Sequence, residues 1–262
     1  MDKVAFEIGG FQIAWYGVFM ALSFMAGLWT ASRRAKRDGI EPETILDIGP
    51  WLLVGALIGA RALYVISYWR ESFAGEPWWQ MFNVRAGGLV YYGGLIGASA
   101  ACILYALLRG MKLWKLADIL APSVALGYVF GRLGCLMNGC CYGRPTSLPW
   151  GIEYPFGHAT HPNHVHPTQI YDSLLNLGLY LGLAWLFQRK KFDGQVFAAY
   201  LVCYALTRSL VETFRGDYPV YYFGGWITPA QLISVAILAA GVCLWWTLSR
   251  KQPQRLPRLT LG

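Results

Sequence analysis

The sequence predicts an all-α polytopic membrane protein with seven transmembrane helices. Of its 262 residues, 56% are hydrophobic and 14% are charged, whereas soluble domains are about a quarter charged. The mean hydropathy is +0.38. The hydrophobic residues also come in long blocks, each near the roughly 20 residues that a helix needs to cross the hydrocarbon core. We therefore expect a single membrane domain over residues 1–262 and no soluble domain.

Seven apolar blocks are assigned to helices in chain order. The first is followed by basic residues at 33–37 and lacks a small-residue cleavage site before them. We expect it to be retained as a helix rather than removed as a signal peptide. The second, fourth and sixth blocks each contain one arginine, and the others contain no basic residue. The predicted helices cover residues 13–32, 47–69, 89–108, 116–137, 169–187, 195–213 and 229–248.

The lysines and arginines between the helices predict the orientation of the chain. In multi-pass membrane proteins the cytoplasmic loops carry the excess of basic residues. One set of connections holds 14 of them, at 33–37, 109–115, 189–191 and 250–258. The opposite set holds five, namely Lys3, Arg70, Arg85, Arg144 and Arg215. We therefore expect the N-terminus outside and the C-terminus in the cytoplasm, which requires an odd number of spans.

Three further arginines, Arg61, Arg132 and Arg208, fall inside the predicted helices. A charge at that depth costs about 2.5 kcal/mol or more, so it normally faces a cavity or a partner. The nearest acidic residues are Glu212 and Asp172, and we expect too few carboxylates to neutralise the three cations. Excess positive charge favours an anionic ligand, and arginine binds phosphate oxygens in pairs. We expect Arg132 and Arg208 to bind a phospholipid phosphate. The alternative is that Arg61 and Arg208 are structural, tied to backbone carbonyls or to Glu212.

The sixth predicted helix carries a polar stripe formed by Tyr204, Arg208, Glu212 and Arg215. The intervals are four, four and three residues, so these side chains share one face of the helix. On an otherwise apolar helix this pattern indicates a functional site. The alternative is a polar seam between two helices.

Glycines surround Arg132 at the end of the fourth predicted helix. Small residues four apart allow helices to approach closely, and glycine beyond the helix leaves backbone N–H groups accessible to a ligand. We interpret this stretch as a helix end that presents Arg132 to a cavity near the outer leaflet. The glycines are Gly127, Gly131, Gly134, Gly139 and Gly143.

Taken together, these segments resemble the prolipoprotein diacylglyceryl transferase family. The central signature is Gly131-Arg132-Leu133-Gly134, followed by Asn138-Gly139 and Gly143. Further segments occur in the family's order over nearly the whole chain. They are Ala14-Trp15-Tyr16-Gly17, Arg61, Gly93-Gly94-Leu95-Ile96-Gly97, His166-Pro167-Thr168-Gln169-Ile170-Tyr171, and the stripe from Tyr204 to Arg215.

The resemblance implies a seven-helix enzyme of the bacterial cytoplasmic (inner) membrane. Such an enzyme transfers the diacylglyceryl group of phosphatidylglycerol to the lipobox cysteine of a prolipoprotein signal peptide, the first step of lipoprotein maturation. The products are a thioether and glycerol phosphate. The expected partners are these two substrates and membrane lipids, with no nucleic acid and no cofactor or metal.

The resemblance also implies roles for individual residues. The expected catalytic residues are Arg132, Arg208, Tyr92 and Tyr204. Besides the two arginines, the residues expected to bind phosphatidylglycerol are Tyr16, Arg61, Asn138, Gly143, His166, Glu212 and Arg215.

Three positions depart from the family pattern. A histidine, often given the proton-accepting role, usually precedes the Gly-Gly-Leu segment, and here that position is Tyr92. A phenol with a pKa of about 10 is a poor base at neutral pH. We therefore expect Tyr92 to donate a hydrogen bond to the lipid headgroup; a base with a lowered pKa is the alternative. Cys135 replaces a usual asparagine, and Cys140 replaces a usual glutamate.

The cysteines also support a different class of function. Thiolates and imidazoles bind zinc or copper, and one short region holds Cys135, Cys140, Cys141, His158, His161, His164 and His166. A membrane metal-handling protein is therefore one alternative, although a path lined by arginines would repel a cation. A catalytically silent lipid-binding relative, suggested only by the histidine missing at Tyr92, is another. A structural metal, or a disulfide from Cys135 to Cys140 or Cys141, is compatible with a working transferase, whose activity we expect to need no metal.

Overall fold

The computed structural model describes residues 3–84, 87–217 and 227–251, and it is mostly helical. Every predicted helical range overlaps one observed helix. The helices are α1 (Trp15–Ala35), α2 (Pro42–Ser67), α3 (Tyr91–Leu108), α4 (Leu113–Asn138), α5 (Thr168–Arg189), α6 (Gln195–Glu212) and α7 (Pro229–Lys251). Arg85, Arg255 and Arg258, which entered the orientation argument, lie outside the described residues.

Among the described residues, five helices are long and apolar enough to cross a membrane: α2, α3, α4, α5 and α7. These five helices support a polytopic membrane protein. The sixth helix carries Arg208 and Glu212 within its 18 residues and does not meet the same criterion. Seven spans, and the predicted orientation, stay predictions.

The chain divides into two compact units, one formed by Met1–Ala31 with Ala117–Gly262 and the other by Ser32–Leu116. In the smaller unit, α2 and α3 approach each other at glycines. A Cβ on Gly59 would clash with the Gly93 carbonyl oxygen, and one on Gly97 would clash with that of Gly55. The backbones of the two helices are therefore in direct contact. The single membrane domain predicted from composition stays a prediction.

In the larger unit, buried polar contacts join the helices. Ser123 of α4 donates to the Gly27 carbonyl of α1 at 2.6 Å and lies 2.9 Å from the Thr30 hydroxyl. Asp118, which is fully buried, accepts hydrogen bonds from Lys190 at 3.1 Å and from the Gly194 backbone N–H at 2.8 Å. Asp118 thus holds the start of α6 against α4.

Two short hairpins complete the larger unit. Strands β1 (Val4–Ile8) and β2 (Phe11–Ala14) pair antiparallel before α1. Strands β3 (Ile152–Glu153) and β4 (His164–Val165) pair in the connection between α4 and α5. This connection packs beside the end of α4, where the candidate site lies.

Candidate active site

Arg132, in the last two turns of α4, is the centre of the candidate site. Its Nε lies 3.0 Å from Oδ2 of Asp172 on α5, and the two side chains are only 12% and 3% exposed. Its Nη2 donates to the hydroxyl of Tyr128, one turn earlier, and its Cζ lies 4.8 Å from the centre of that ring. These contacts hold the guanidinium in one orientation.

Arg208 forms a second buried ion pair, with Glu212 one turn later on α6. Its Nη1 lies 2.5 Å from Glu212 Oε2, with side chains 10% and 1% exposed. Tyr204, one turn before Arg208, packs edge-on against Tyr128 with ring centres 5.8 Å apart. The polar stripe predicted on this helix therefore faces the Arg132 side of α4, and its members share one cluster.

Arg215 is the third buried cation of the cluster and follows the end of α6. Its Nε and Nη2 donate to the two carboxylate oxygens of Asp217 at 2.9 and 2.7 Å, and its Nε lies 3.9 Å from Glu212 Oε2. Burial acts to lower the pKa of Arg215, but the paired Asp217 outweighs it and raises that pKa above its ordinary value. Asp172 also interacts electrostatically with both Arg208 and Arg215, so all three cations act on this carboxylate.

The two carboxylates expected near the three arginines are both used, since Arg132 pairs with Asp172 and Arg208 with Glu212, while Arg61 donates to backbone carbonyls. The pairing of Arg208 with Glu212 follows from their spacing of four residues. The pairing of Arg132 with Asp172 joins two helices, and no spacing in the sequence reveals it. Tyr128 was also missed, although its spacing of four residues before Arg132 could have suggested it.

The loop after α4 is fixed by backbone hydrogen bonds to two other segments. Gly143 N–H donates to the His166 carbonyl at 2.9 Å, and Arg144 N–H donates to the Phe214 carbonyl at 2.8 Å. A Cβ on Gly143 would lie 2.5 Å from the His166 Cβ and 2.7 Å from the Phe214 oxygen. Only glycine fits here, so the loop binds the start of α5 and the end of α6 together around the arginines.

Three thiols converge beside these arginines. The Sγ atoms of Cys135, Cys140 and Cys141 all lie within 4.8 Å of one another, and the three cysteines are free and half-buried. Hydrogen bonds from Cys135 and Cys140, together with the charges of Arg132 and Arg215, hold the pKa of the Cys141 thiol below its usual range. Cys141 also adopts a left-handed backbone, with φ of 63°.

The four histidines are occupied elsewhere. His158 stacks on Tyr154 with ring centres 4.2 Å apart. His161 and His164 lie 3.3 and 3.6 Å from the carboxylate of Glu153. His166 contacts the Tyr171 hydroxyl at 3.2 Å. Across the described ranges, the ligand atoms grouped around the cysteines include no histidine nitrogen, although His158 Nε2 lies 2.7 Å from the carbonyl oxygen of Gly139, the residue before Cys140.

Two expected site residues, Arg61 and Tyr92, belong to the smaller unit. Arg61 is buried and donates to the backbone carbonyls of Gln80, Met81, Gly87 and Gly88 at 2.7–3.2 Å. This geometry favours the structural alternative for Arg61. Tyr92 is the second residue of α3, and its side chain is 54% exposed.

Two other expected lipid-binding residues lie at the edge of the cluster. Tyr16 is 43% exposed, and its Cδ2 would be 3.2 Å from a Cβ on Gly134, so α1 crosses α4 at this glycine. Asn138 is exposed, and its Nδ2 lies 3.6 Å from the sulfur of Cys140. Both side chains could reach a ligand that approaches Arg132.

Comparison with known proteins identifies the relatives of this chain. A family model described as prolipoprotein diacylglyceryl transferase matches residues 3–247. Three similar proteins are named phosphatidylglycerol–prolipoprotein diacylglyceryl transferase. The one from Finegoldia magna is 40% identical, covering 93% of this chain and 94% of its own. Those from Gloeobacter violaceus and Clostridioides difficile are 35% and 34% identical, covering 96% and 98% of this chain and 94% and 99% of theirs.

Proposed function

This chain belongs to the prolipoprotein diacylglyceryl transferase family, and we propose that it transfers the diacylglyceryl group of phosphatidylglycerol to the lipobox cysteine of prolipoproteins. This reaction is the first step of lipoprotein maturation. The enzyme acts as a seven-span protein of the bacterial cytoplasmic membrane, with its N-terminus outside. Residues 1–262 then count as a single membrane domain.

The observation that carries this proposal is the pair of buried arginines, Arg132 and Arg208. A guanidinium has five N–H donors. Among the described residues, Asp172 contacts Nε of Arg132 and Tyr128 contacts Nη2, which leaves Nη1 of that arginine for a phosphate oxygen. The carboxylates orient the two guanidinium groups and offset the cost of burying them. The lipid phosphate then binds guanidinium groups that are already oriented.

These arginines also suit the transition state of the transfer. The substrate sulfur forms a bond to the glyceryl carbon, while the bond from that carbon to the phosphate oxygen breaks and its electron pair stays on the oxygen. Negative charge therefore grows on the departing glycerol phosphate. Fixed donors aimed at developing charge stabilise the transition state more than the ground state. Arg132 and Arg208 supply those donors.

Glu212 is placed to recognise the glycerol headgroup of the lipid. Its Oε2 lies at ion-pair distance from Arg208, and its Oε1 is buried without a hydrogen-bond partner among the described residues. A buried acceptor without a partner is costly and favours a ligand that donates. The headgroup of phosphatidylglycerol ends in a glycerol with two hydroxyls. We assign Glu212 Oε1 as the acceptor for one of them.

The remaining expected residues take supporting roles. Tyr204 positions Tyr128, and through it Arg132, by the edge-on contact of the two rings, and Arg215 adds positive charge beside the phosphate. Gly143 and His166 hold the loop against α5 and α6. Tyr92 donates a hydrogen bond to the headgroup rather than accepting the thiol proton.

The decisive experiment is complementation. Cells depleted of their own transferase receive this gene, and lipidation of a reporter lipoprotein is followed by mass spectrometry. Restored diacylglyceryl modification supports the proposal. A protein that reaches the membrane and binds phosphatidylglycerol vesicles but restores no modification would instead be a catalytically silent lipid-binding relative.

A further inference from the structure

We propose that Cys135, Cys140 and Cys141 form a zinc site whose fourth position takes the thiol of the prolipoprotein cysteine. This inference rests on the proposed transferase function, since it concerns how the substrate thiol is activated. It replaces the expectation from sequence that transfer needs no metal. Two features of the structure carry it: the spacing of the sulfurs and the way their loop is held.

The spacing of the sulfurs is close to what zinc requires. Tetrahedral zinc binds thiolate sulfur at about 2.3 Å, which places neighbouring sulfurs about 3.8 Å apart. The three Sγ atoms lie within 4.8 Å of one another. Small side-chain rotations would therefore bring them into the geometry of one ion.

The loop that presents the sulfurs is held in place from α5. Gln169, which is fully buried, donates to the Cys140 carbonyl at 2.7 Å, and Thr168 donates to the Cys141 carbonyl at 2.7 Å. The Cys140 N–H donates back to the Cys135 carbonyl at 3.1 Å. Thr168 and Gln169 thus preorganise the two loop cysteines next to the one on α4.

The cysteine group offers an ion three ligands. Among the described residues, the ligand atoms that lie together are the three sulfurs, and no histidine nitrogen joins them. Three thiolates and one Zn²⁺ carry a net charge of −1. Zinc with three protein ligands keeps its fourth position for water or substrate.

Such a site would supply what the reaction needs, namely a thiolate nucleophile. A thiol that coordinates zinc is deprotonated outright. The proton of the substrate thiol passes to water as its sulfur binds the ion. That sulfur then bonds to the glyceryl carbon, and the glycerol phosphate leaves with the electron pair of the broken carbon–oxygen bond. Zinc keeps its oxidation state throughout, and no separate base is required at Tyr92.

The test begins with zinc binding, which is independent of activity. Purified full-length protein is dialysed against chelator, titrated with Zn²⁺ alone, and studied by X-ray absorption at the zinc edge. We expect one zinc per chain with three sulfur neighbours at about 2.3 Å. Adding a signal peptide with one cysteine should raise the number of sulfurs to four, whereas the same peptide with serine should not.

Variants and transfer assays complete the test. Because losing an outer-shell partner already lowers metal affinity about 10–100-fold, Cys141→Ser should lower zinc affinity by at least about 100-fold. The matched control Cys203→Ser, a half-buried cysteine of α6 outside the cluster, should leave it unchanged. Chelation should abolish transfer, and zinc should restore it.

Several outcomes would overturn the zinc site. They are no bound zinc, zinc bound equally by Cys141→Ser, a sulfur count unchanged by the cysteine peptide, or full transfer by the chelated enzyme. Full transfer after chelation would refute the zinc inference and leave the proposed function intact. Absence of transfer under every condition, with a four-sulfur zinc centre present, would refute the proposed function instead.

Discussion

Replacing Arg132 by lysine tests the phosphate site most directly. Arg132→Lys keeps the positive charge but loses the planar guanidinium group, which contacts Asp172 through Nε at 3.0 Å and Tyr128 through Nη2. A lysine has one nitrogen for these two partners and the phosphate. Losing one charge-assisted hydrogen bond costs about 1.5–3 kcal/mol. In the transition state this corresponds to a rate lower by about 10- to 150-fold.

The assay measures transfer of labelled diacylglyceryl from phosphatidylglycerol to a lipobox peptide in detergent or vesicles. Thermal unfolding of each variant is measured in parallel, because breaking a buried ion pair also destabilises the fold. The control is Arg109→Lys. Arg109 pairs with Asp47 at 3.5 Å, but both side chains are more than half exposed. Such surface pairs contribute little, so this control should keep native activity.

A folded Arg132→Lys enzyme within about threefold of native transfer, with unchanged lipid affinity, would refute the phosphate role. If unfolding shifts but transfer per folded molecule does not, Arg132 is only a structural partner of Asp172. Arg208→Lys should also lower transfer, because lysine keeps the charge beside Glu212 but offers a single nitrogen in place of the guanidinium.

Three other substitutions test neighbouring parts of the site. Glu212→Gln should reduce the preference for phosphatidylglycerol over phosphatidylethanolamine in competition assays, and an unchanged preference would remove its headgroup role. Tyr92→Phe should lower transfer about 10- to 100-fold at every pH from about 6 to 9, the cost of one hydrogen bond to a charged group; complete loss with lipid still bound would point to a base instead. Gly143→Ala should abolish transfer or folding because its Cβ would meet the His166 Cβ at 2.5 Å. The control Gly178→Ala, with open space around it, should be neutral, and equal behaviour of the two variants in thermal unfolding and transfer would contradict this packing argument.

The helices were predictable because hydrophobic blocks of the right length have few other stable structures in a membrane. The exact residues at which the helices begin and end were less predictable. The second helix begins at Pro42, five residues before its apolar block, since proline is well suited to a first helical turn. The fourth helix likewise includes polar residues at its start and runs on to Asn138. Hydrophobicity shows where a helix is buried in lipid, not where it ends.

Within the site, contacts inside one helix were predictable and contacts between helices were not. The Arg208–Glu212 pair follows from helical spacing, whereas the Arg132–Asp172 pair depends on how α4 and α5 are placed. Arg61 shows the same limit. Its carbonyl partners are Gln80 and Met81 in a short 3-10 helix, and Gly87 and Gly88 before α3, and no sequence pattern predicts these contacts.

The contact between α2 and α3 has a consequence for how the protein is made. At Gly55, Gly59, Gly93 and Gly97 no lipid chain can separate the two helices once they have met. Translocation machinery that released α2 into the bilayer alone would expose its flat glycine surface to acyl chains, with no side chains to fill it. We therefore expect α2 and α3 to enter the bilayer together as a helical hairpin, with α2 held at the translocation machinery until α3 has been synthesised.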